Sequence, residues 1–254
     1  MQLFAGARRV LFLHAHPDDE SLWTGGLIAR LTASGVTVRI VTATRGEQGE
    51  VVAGPLESLE GAPELAEHRE GELTRALAEL GAGRPVFLGG FGAAAHYNGP
   101  GFRYVDSGMV WGDDGRATIG SDAPPGHFAG NRLALADARA AVRRFRPDLV
   151  VSYDAGGGYG HPDHEWAHTV ARAAAERYGV PFIEVVDGEA SGAIAHGIDL
   201  AAKRRALAAH ASQLTLTDDG YIFSGGQRHP LEPVEYYRVA DTAPTTTAAS
   251  PTTR

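Results

Sequence analysis

The first dense apolar run of the chain, "RRVLFLHAH", is short and ends abruptly in "HPDDE", so it reads as a buried strand stopping at a polar cluster. "SLWTGGLIARLTASG" follows with apolar residues at helical spacing and Gly35 as a C-terminal cap. "VTVRIVTAT" is a second strand, and "PELAEHREGELTRALAELG" a helix that starts near Pro63 and closes at Gly81. "PVFLGG" reads as a third strand. Residues 89 to 130 carry Gly, Asp, Pro and aromatics without a sustained period, the pattern of a long functional loop or lid. Periodicity returns with a helix over "NRLALADARAAVRRF", a strand over "PDLVVSY" and a glycine-rich turn, "DAGGGYGHPD". A helix over "HEWAHTVARAAAERYG", a strand over "PFIEVV", a helix over "IDLAAKRRALAAHASQ" and a strand over "VEYYRVA" complete the pattern.

Strands alternating with helices predict an α/β fold: a Rossmann-like, mostly parallel sheet with helices on both faces. Ligands bind such sheets beyond the carboxyl ends of the strands. "HAHPDDE" and "GGGYGHPDH" each follow a predicted strand, so two clusters remote in sequence can meet in space. Residues 1–240 are expected to form a single domain. The tail 241–254, "DTAPTTTAASPTTR", has no apolar content to bury and is expected to be disordered.

With 31 acidic against 23 basic residues the formal charge is −8, which argues against nucleic acid or an anionic membrane as the main partner. The chain has no cysteine, which removes disulfides, thiolate metal sites and cysteine nucleophiles, so any metal must rest on His, Asp and Glu. The N-terminal apolar run is broken by histidines and acids and fits neither a signal peptide nor a membrane span. The expected location is cytoplasmic.

Zinc in a hydrolase takes three protein ligands and keeps one position open for water. His16 and Asp19 on a tight turn can converge on one ion, and "HPDH" supplies further imidazoles. Bound zinc lowers the pKa of water and polarises a carbonyl, and a nearby carboxylate must then take the proton. Asp18 and Asp19 are neighbours whose side chains diverge, so one can bind metal while the other acts as base; the residues alone leave open which. A second pattern competes. "HEWAH", His164 to His168, matches the H-E-x-x-H of zinc peptidases with Glu165 as base, although this reading leaves "HPDDE" without a job. "GGGYG" lacks the Gly-Lys-Ser/Thr of a phosphate loop, and the first strand lacks G-x-G-x-x-G.

"AHPDDES" together with "GGYGHPDH" resembles the LmbE/PIG-L family of zinc-dependent N-acetyl-sugar deacetylases. Within it the chain looks most like the branch acting on N-acetylglucosaminyl-inositol on the way to mycothiol. "RGEQGEV", "HREGELTRALAELG", "VDSGM", "RPDLVVSYDAGGGYGHPDH" and "KRRALAAHASQ" extend the likeness to about residue 213. The resemblance implies that His16, Asp19 and His164 hold zinc or ferrous iron and that Asp18 is the general base. It implies further that His161 stabilises the oxyanion and protonates the leaving amine, that Tyr159 reaches the carbonyl, and that Arg69, Asp106 and Glu47 contact substrate.

Trp23 departs from the pattern, standing where the family carries lysine or a small polar residue. It either stacks on a substrate ring or packs in the core. The 89–130 loop and "TDDGYIFSGGQRHPLEPVEYY" are also individual. His14 reads as a core strand residue, and His68, His96, His127, His196 and His229 as ordinary surface or loop histidines; His210 has no role in this reading. The expected activity is removal of an N-acetyl group from a small acetylated amino sugar, giving amine and acetate. Three rivals stand beside it: an amidase of a thiol conjugate or natural-product glycoside, a zinc peptidase using "HEWAH", and a silent binding protein that keeps the metal for structure.

Overall fold

A computed structural model describes residues 2–91, 102–112 and 117–241. His96, and residues 242–254 of the tail expected to be disordered, lie outside the described residues. In chain order the elements are β1 (Arg9–His14), α1 (Asp19–Ala33), β2 (Thr37–Thr42) and α2 (Leu65–Glu79). The short strands β3 (Val110–Trp111) and β4 (Ala117–Thr118) follow, then α3 (Leu133–Phe145), β5 (Leu149–Tyr153), α4 (Pro162–Arg177) and β6 (Phe182–Val185). The chain continues through β7 (Ile194–Gly197), α5 (Leu200–Ala209), β8 (Leu214–Leu216), β9 (Gly220–Phe223), β10 (Arg228–Pro230) and β11 (Val234–Val239).

The main sheet has the order β2-β1-β5-β6-β11-β7. β1, β2, β5 and β6 run parallel, and β11 is antiparallel to both of its neighbours. Successive side chains of β1 face opposite ways, as the two-residue period of a strand requires. Val10 and Phe12 join Leu27, Ile28 and Leu31 of α1, Leu73 and Leu77 of α2, and Ala206 of α5. Leu11 and Leu13 join Ala138, Ala141 and Val142 of α3 and Val170, Ala171 and Ala174 of α4. The expected α/β architecture with helices on both faces is therefore present.

β1 pairs with β2 on one side and β5 on the other. The order reverses between β1 and β5, and their carboxyl ends flank the crevice where open sheets of this kind bind ligands. "HPDDE" follows β1 and "GGGYGHPDH" follows β5, so both motifs sit at that reversal.

Three expectations change. "PVFLGG" contributes only an isolated parallel bridge, Thr42 with Phe87, before a 3-10 turn over Leu88–Phe91. A Cβ at Gly89 would lie 1.9 Å from the Phe102 carbonyl oxygen, so the returning loop occupies the space a longer strand would need. The strands β7 to β10 lie in stretches without a period. His196 is not a surface histidine: it is buried on β7, edge-on to Phe4 and Tyr237. His14 is fully buried as expected, its Nε2 3.0 Å from Thr24 Oγ1.

Helix α1, which carries Asp19, is locked from behind. Glu235 of β11 accepts from the Gly26 and Leu27 N–H groups, from Lys203 Nζ and from the Tyr237 hydroxyl. A Cβ on Gly26 would lie 2.4 Å from Ile198 Cβ, too close for the half-buried Ile198 and its backbone to stay in place. Alanine in place of a helical glycine is worth about 1 kcal/mol of propensity, against roughly 1–3 kcal/mol for overpacking. Gly26→Ala is therefore expected to lower the midpoint of thermal unfolding. Gly71→Ala on α2, where only the flexible end of Arg75 comes within 4 Å, is expected to raise it. Scanning calorimetry of the two variants checks the opposite signs.

Candidate metal centre and active site

His16 leaves the end of β1, Asp19 opens α1, and His164 lies in the first turn of α4. His16 Nδ1 is 3.3 Å from Asp19 Oδ2, His164 Nε2 is 3.3 Å from Asp19 Oδ1, and the two ring nitrogens are 3.3 Å apart. Ligands held at about 2.0–2.1 Å around a tetrahedral ion are separated by about 3.3 Å. The hydrogen bonds on the far sides of the rings fix what these atoms can do. His164 Nδ1 lies 3.1 Å from the Gly157 carbonyl oxygen, which only accepts, so Nδ1 carries a proton and Nε2 can present a lone pair. His16 Nε2 lies 3.1 Å from Asp163 Oδ2 and donates to it, which turns the Nδ1 lone pair toward Asp19. Two imidazole lone pairs and a carboxylate thus converge on one point. That donor set repels itself unless a cation sits among it, and the residues fit a divalent metal.

The supports of this triangle come from distant parts of the chain. The Tyr153 ring stacks on His164 at 4.1 Å and 5°. A Cβ at Gly157, which has φ +61°, would lie 2.9 Å from His164 Cβ, so glycine there lets the carbonyl reach the imidazole. Asp163 also accepts from the Ser107 N–H and hydroxyl and from the Ala129 N–H, which ties the long loop to the metal ligand.

Asp18 precedes α1 with φ 124° and ψ −31°, a conformation non-glycine residues rarely adopt. Its carbonyl starts the helix by accepting from Ser21 and Leu22, while its side chain makes no capping bond and is left free. Burial, then the neighbouring Asp19 charge, pushes its pKa up to about 8. His161 is the N-cap of α4: its Nδ1 accepts from the Asp163 N–H at 3.1 Å. Nδ1 is thereby occupied and the proton sits on Nε2. Burial, then His16 and His164, lowers its pKa to about 2, so His161 is a neutral N–H donor. Tyr159 is 51% exposed, with its ring 5.3 Å from that of His164.

The family described as "PIG-L: GlcNAc-PI de-N-acetylase" matches residues 11–175, which hold all of these groups. The chain belongs to the PIG-L family. It is 37% identical to the 1D-myo-inositol 2-acetamido-2-deoxy-alpha-D-glucopyranoside deacetylase of Kineococcus radiotolerans, over 91% of this chain and 77% of the relative. The enzyme of the same description from Actinosynnema mirum is 38% identical, over 91% and 92%. A solved structure of N,N'-diacetylchitobiose deacetylase from Pyrococcus horikoshii shares the fold, with a TM-score of 0.57 at 22% identity over 85% of this chain and 73% of that one.

Around this PIG-L core the expected substrate contacts divide. Asp106 is buried beside the ligands, its Oδ1 3.7 Å from His16 Nε2 and accepting from the Gly108 N–H. Arg69 is buried too, but its terminal nitrogens donate to the Gly46, Gly49 and Glu50 carbonyls, which shapes the 46–50 loop. Glu47 accepts from the Arg45 and Asp106 N–H groups and pairs with Arg103, fastening one loop to another. Trp23 packs rather than projects: its ring lies under Gly158 and edge-on to Tyr153 and His164. "HEWAH" does not form a site: among the described residues His164 converges with His16 and Asp19, whereas His168 joins no such group and its ring lies edge-on to Phe182. The sequence reading gave no role to Asp163 or to the Gly157 carbonyl. Asp163 stands inside the "HPDH" motif, but a carboxylate in the first turn of a helix is common for its charge alone.

Proposed function

We propose that the chain is a zinc-dependent N-deacetylase that hydrolyses the acetamide of N-acetylglucosaminyl-inositol to the free amine and acetate. The observation that carries this reading is the convergence of two imidazole nitrogens and the Asp19 carboxylate beside an uncapped, strained Asp18. His16, Asp19 and His164 would hold the metal, which when bound acidifies a water molecule and polarises the acetamide carbonyl. Asp18 takes a proton from the attacking water and hands it to the departing amine nitrogen. Nε2–H of His161 donates to the oxygen on which negative charge develops. Taking a second proton would require Nδ1 to give up the Asp163 N–H, so this geometry favours His161 as oxyanion donor over His161 as acid. Tyr159, exposed and with its ring 6.0 Å from that of His161, would meet the same oxygen. The substrate follows from the relatives' printed activity. No described helix is long and apolar enough to cross a membrane.

The test is acetate release from N-acetylglucosaminyl-inositol by protein carrying one zinc per chain. Release at a rate well above that from free N-acetylglucosamine is the expected result. No release from zinc-loaded protein would overturn the substrate assignment, and acetylated natural-product glycosides would be assayed next.

A further inference from the structure

The sequence reading left His210 without a role, together with the "HASQ" stretch that follows α5. In the structure these residues fold across the peptide bond that leads into Asp18. Gln213 Nε2 donates to the Pro17 carbonyl at 2.6 Å. The Asp18 N–H donates to Glu20 Oε2 at 3.1 Å, and the other oxygen of Glu20 lies 2.9 Å from His210 Nε2 and also accepts from the Ser21 hydroxyl. Both polar atoms of the Pro17–Asp18 peptide are therefore held from the C-terminal end of α5, one directly and one through Glu20. Between the two contacts, Ser212 is fixed by its N–H and hydroxyl to Glu72 of α2. Glu20, His210 and Ser212 are fully buried, and Gln213 nearly so.

The strained turn needs such a clamp. A non-glycine residue at φ 124° is strained and persists only where its surroundings over-determine it. That backbone also separates two consecutive carboxylates, sending Asp19 to the metal point and leaving Asp18 uncapped.

We propose that His210, through Glu20, and Gln213 are positioning residues that hold the Pro17–Asp18 peptide so that Asp18 stands clear of the metal ligands and aims at the attacking water. This inference rests on the deacetylase reading for the role of Asp18, although its geometric content does not.

The experiment compares His210→Leu, Gln213→Leu and His210→Gln with the parent in kinetics, metal content and crystal structure. Both leucine variants are expected to lose about 10- to 100-fold in kcat, the scale of a misplacement of roughly 1 Å, with KM within twofold and one metal per chain. His210→Gln keeps an N–H that reaches Glu20 and should recover most of the rate. In an Asp18→Ala background the leucine substitutions should cost nothing further, because their effect runs through that carboxylate. Their crystal structures should show Asp18 relaxed away from positive φ. Folded, metal-loaded leucine variants with turnover within twofold of the parent would overturn the proposal. An equal loss in the Asp18→Ala background, or an unmoved Asp18 backbone, would do the same. If His210→Leu does not fold, Gln213→Leu decides alone. Should the parent release no acetate, the deacetylase reading fails by itself, and the Asp18 backbone in the variant structures still decides this one.

Discussion

Asp18→Ala is expected to cut acetate release about 100- to 10,000-fold, the range supplied by a positioned general base, with KM little changed. Metal content should stay at one per chain, because the Asp18 carboxylate is not among the converging groups of His16, Asp19 and His164. Thermal stability should hold or rise slightly. The side chain makes no capping bond, and its removal takes a half-buried carboxylate away from the charge of Asp19. A loss of turnover with retained metal therefore separates the base from the ligands, which adjacency in the sequence cannot do. Substrate turnover near the parent rate in Asp18→Ala would remove the proposed mechanism. A fall in turnover that tracks a fall in metal content would make Asp18 a ligand instead.

How much of this was legible beforehand differs by element. β1, β2 and β5 show as apolar runs because both of their faces are buried, and the helices show as periodic stripes because only one of theirs is. β7 to β10 do not show, since strands of three or four residues with at most one of them buried have no pattern to print. The donor types of the metal centre were readable from residue type and from the strand ends they follow, but the choice of Asp19 over Asp18, and of His164 within "HPDH", came only from the resemblance. The state of the donor atoms was not readable. Which nitrogen of His164 is free depends on the Gly157 carbonyl, and which nitrogen of His16 is free depends on Asp163, itself held by Ser107 and Ala129 of the long loop. Substrate contacts were the least legible. Arg69 and Glu47 have the chemistry of ligand binders, yet several of their polar atoms are spent on loop backbone, a commitment visible only after the chain has folded.

The same reasoning predicts a graded loss of metal across three variants. His164→Ala removes one of three donors and should leave protein that retains no stoichiometric zinc after dialysis. Asp163→Asn keeps every ligand but weakens the acceptor of the His16 Nε2–H, and outer partners of this kind are worth about 10- to 100-fold in metal affinity. Its amide must also turn an NH2 group toward the N–H donors of Ser107 and Ala129 that the carboxylate now accepts, so some loosening of the long loop should accompany the weaker binding. His168→Ala, four residues beyond His164 and bonded to the Tyr153 carbonyl, should bind zinc as the parent does. Titration against a chelator of known affinity orders the three. The peptidase reading of "HEWAH" requires His168→Ala to lose metal as His164→Ala does, so normal zinc affinity in His168→Ala removes that reading. Parent-like affinity in Asp163→Asn would show that the orientation of His16 is set by the end of β1 rather than by its carboxylate partner.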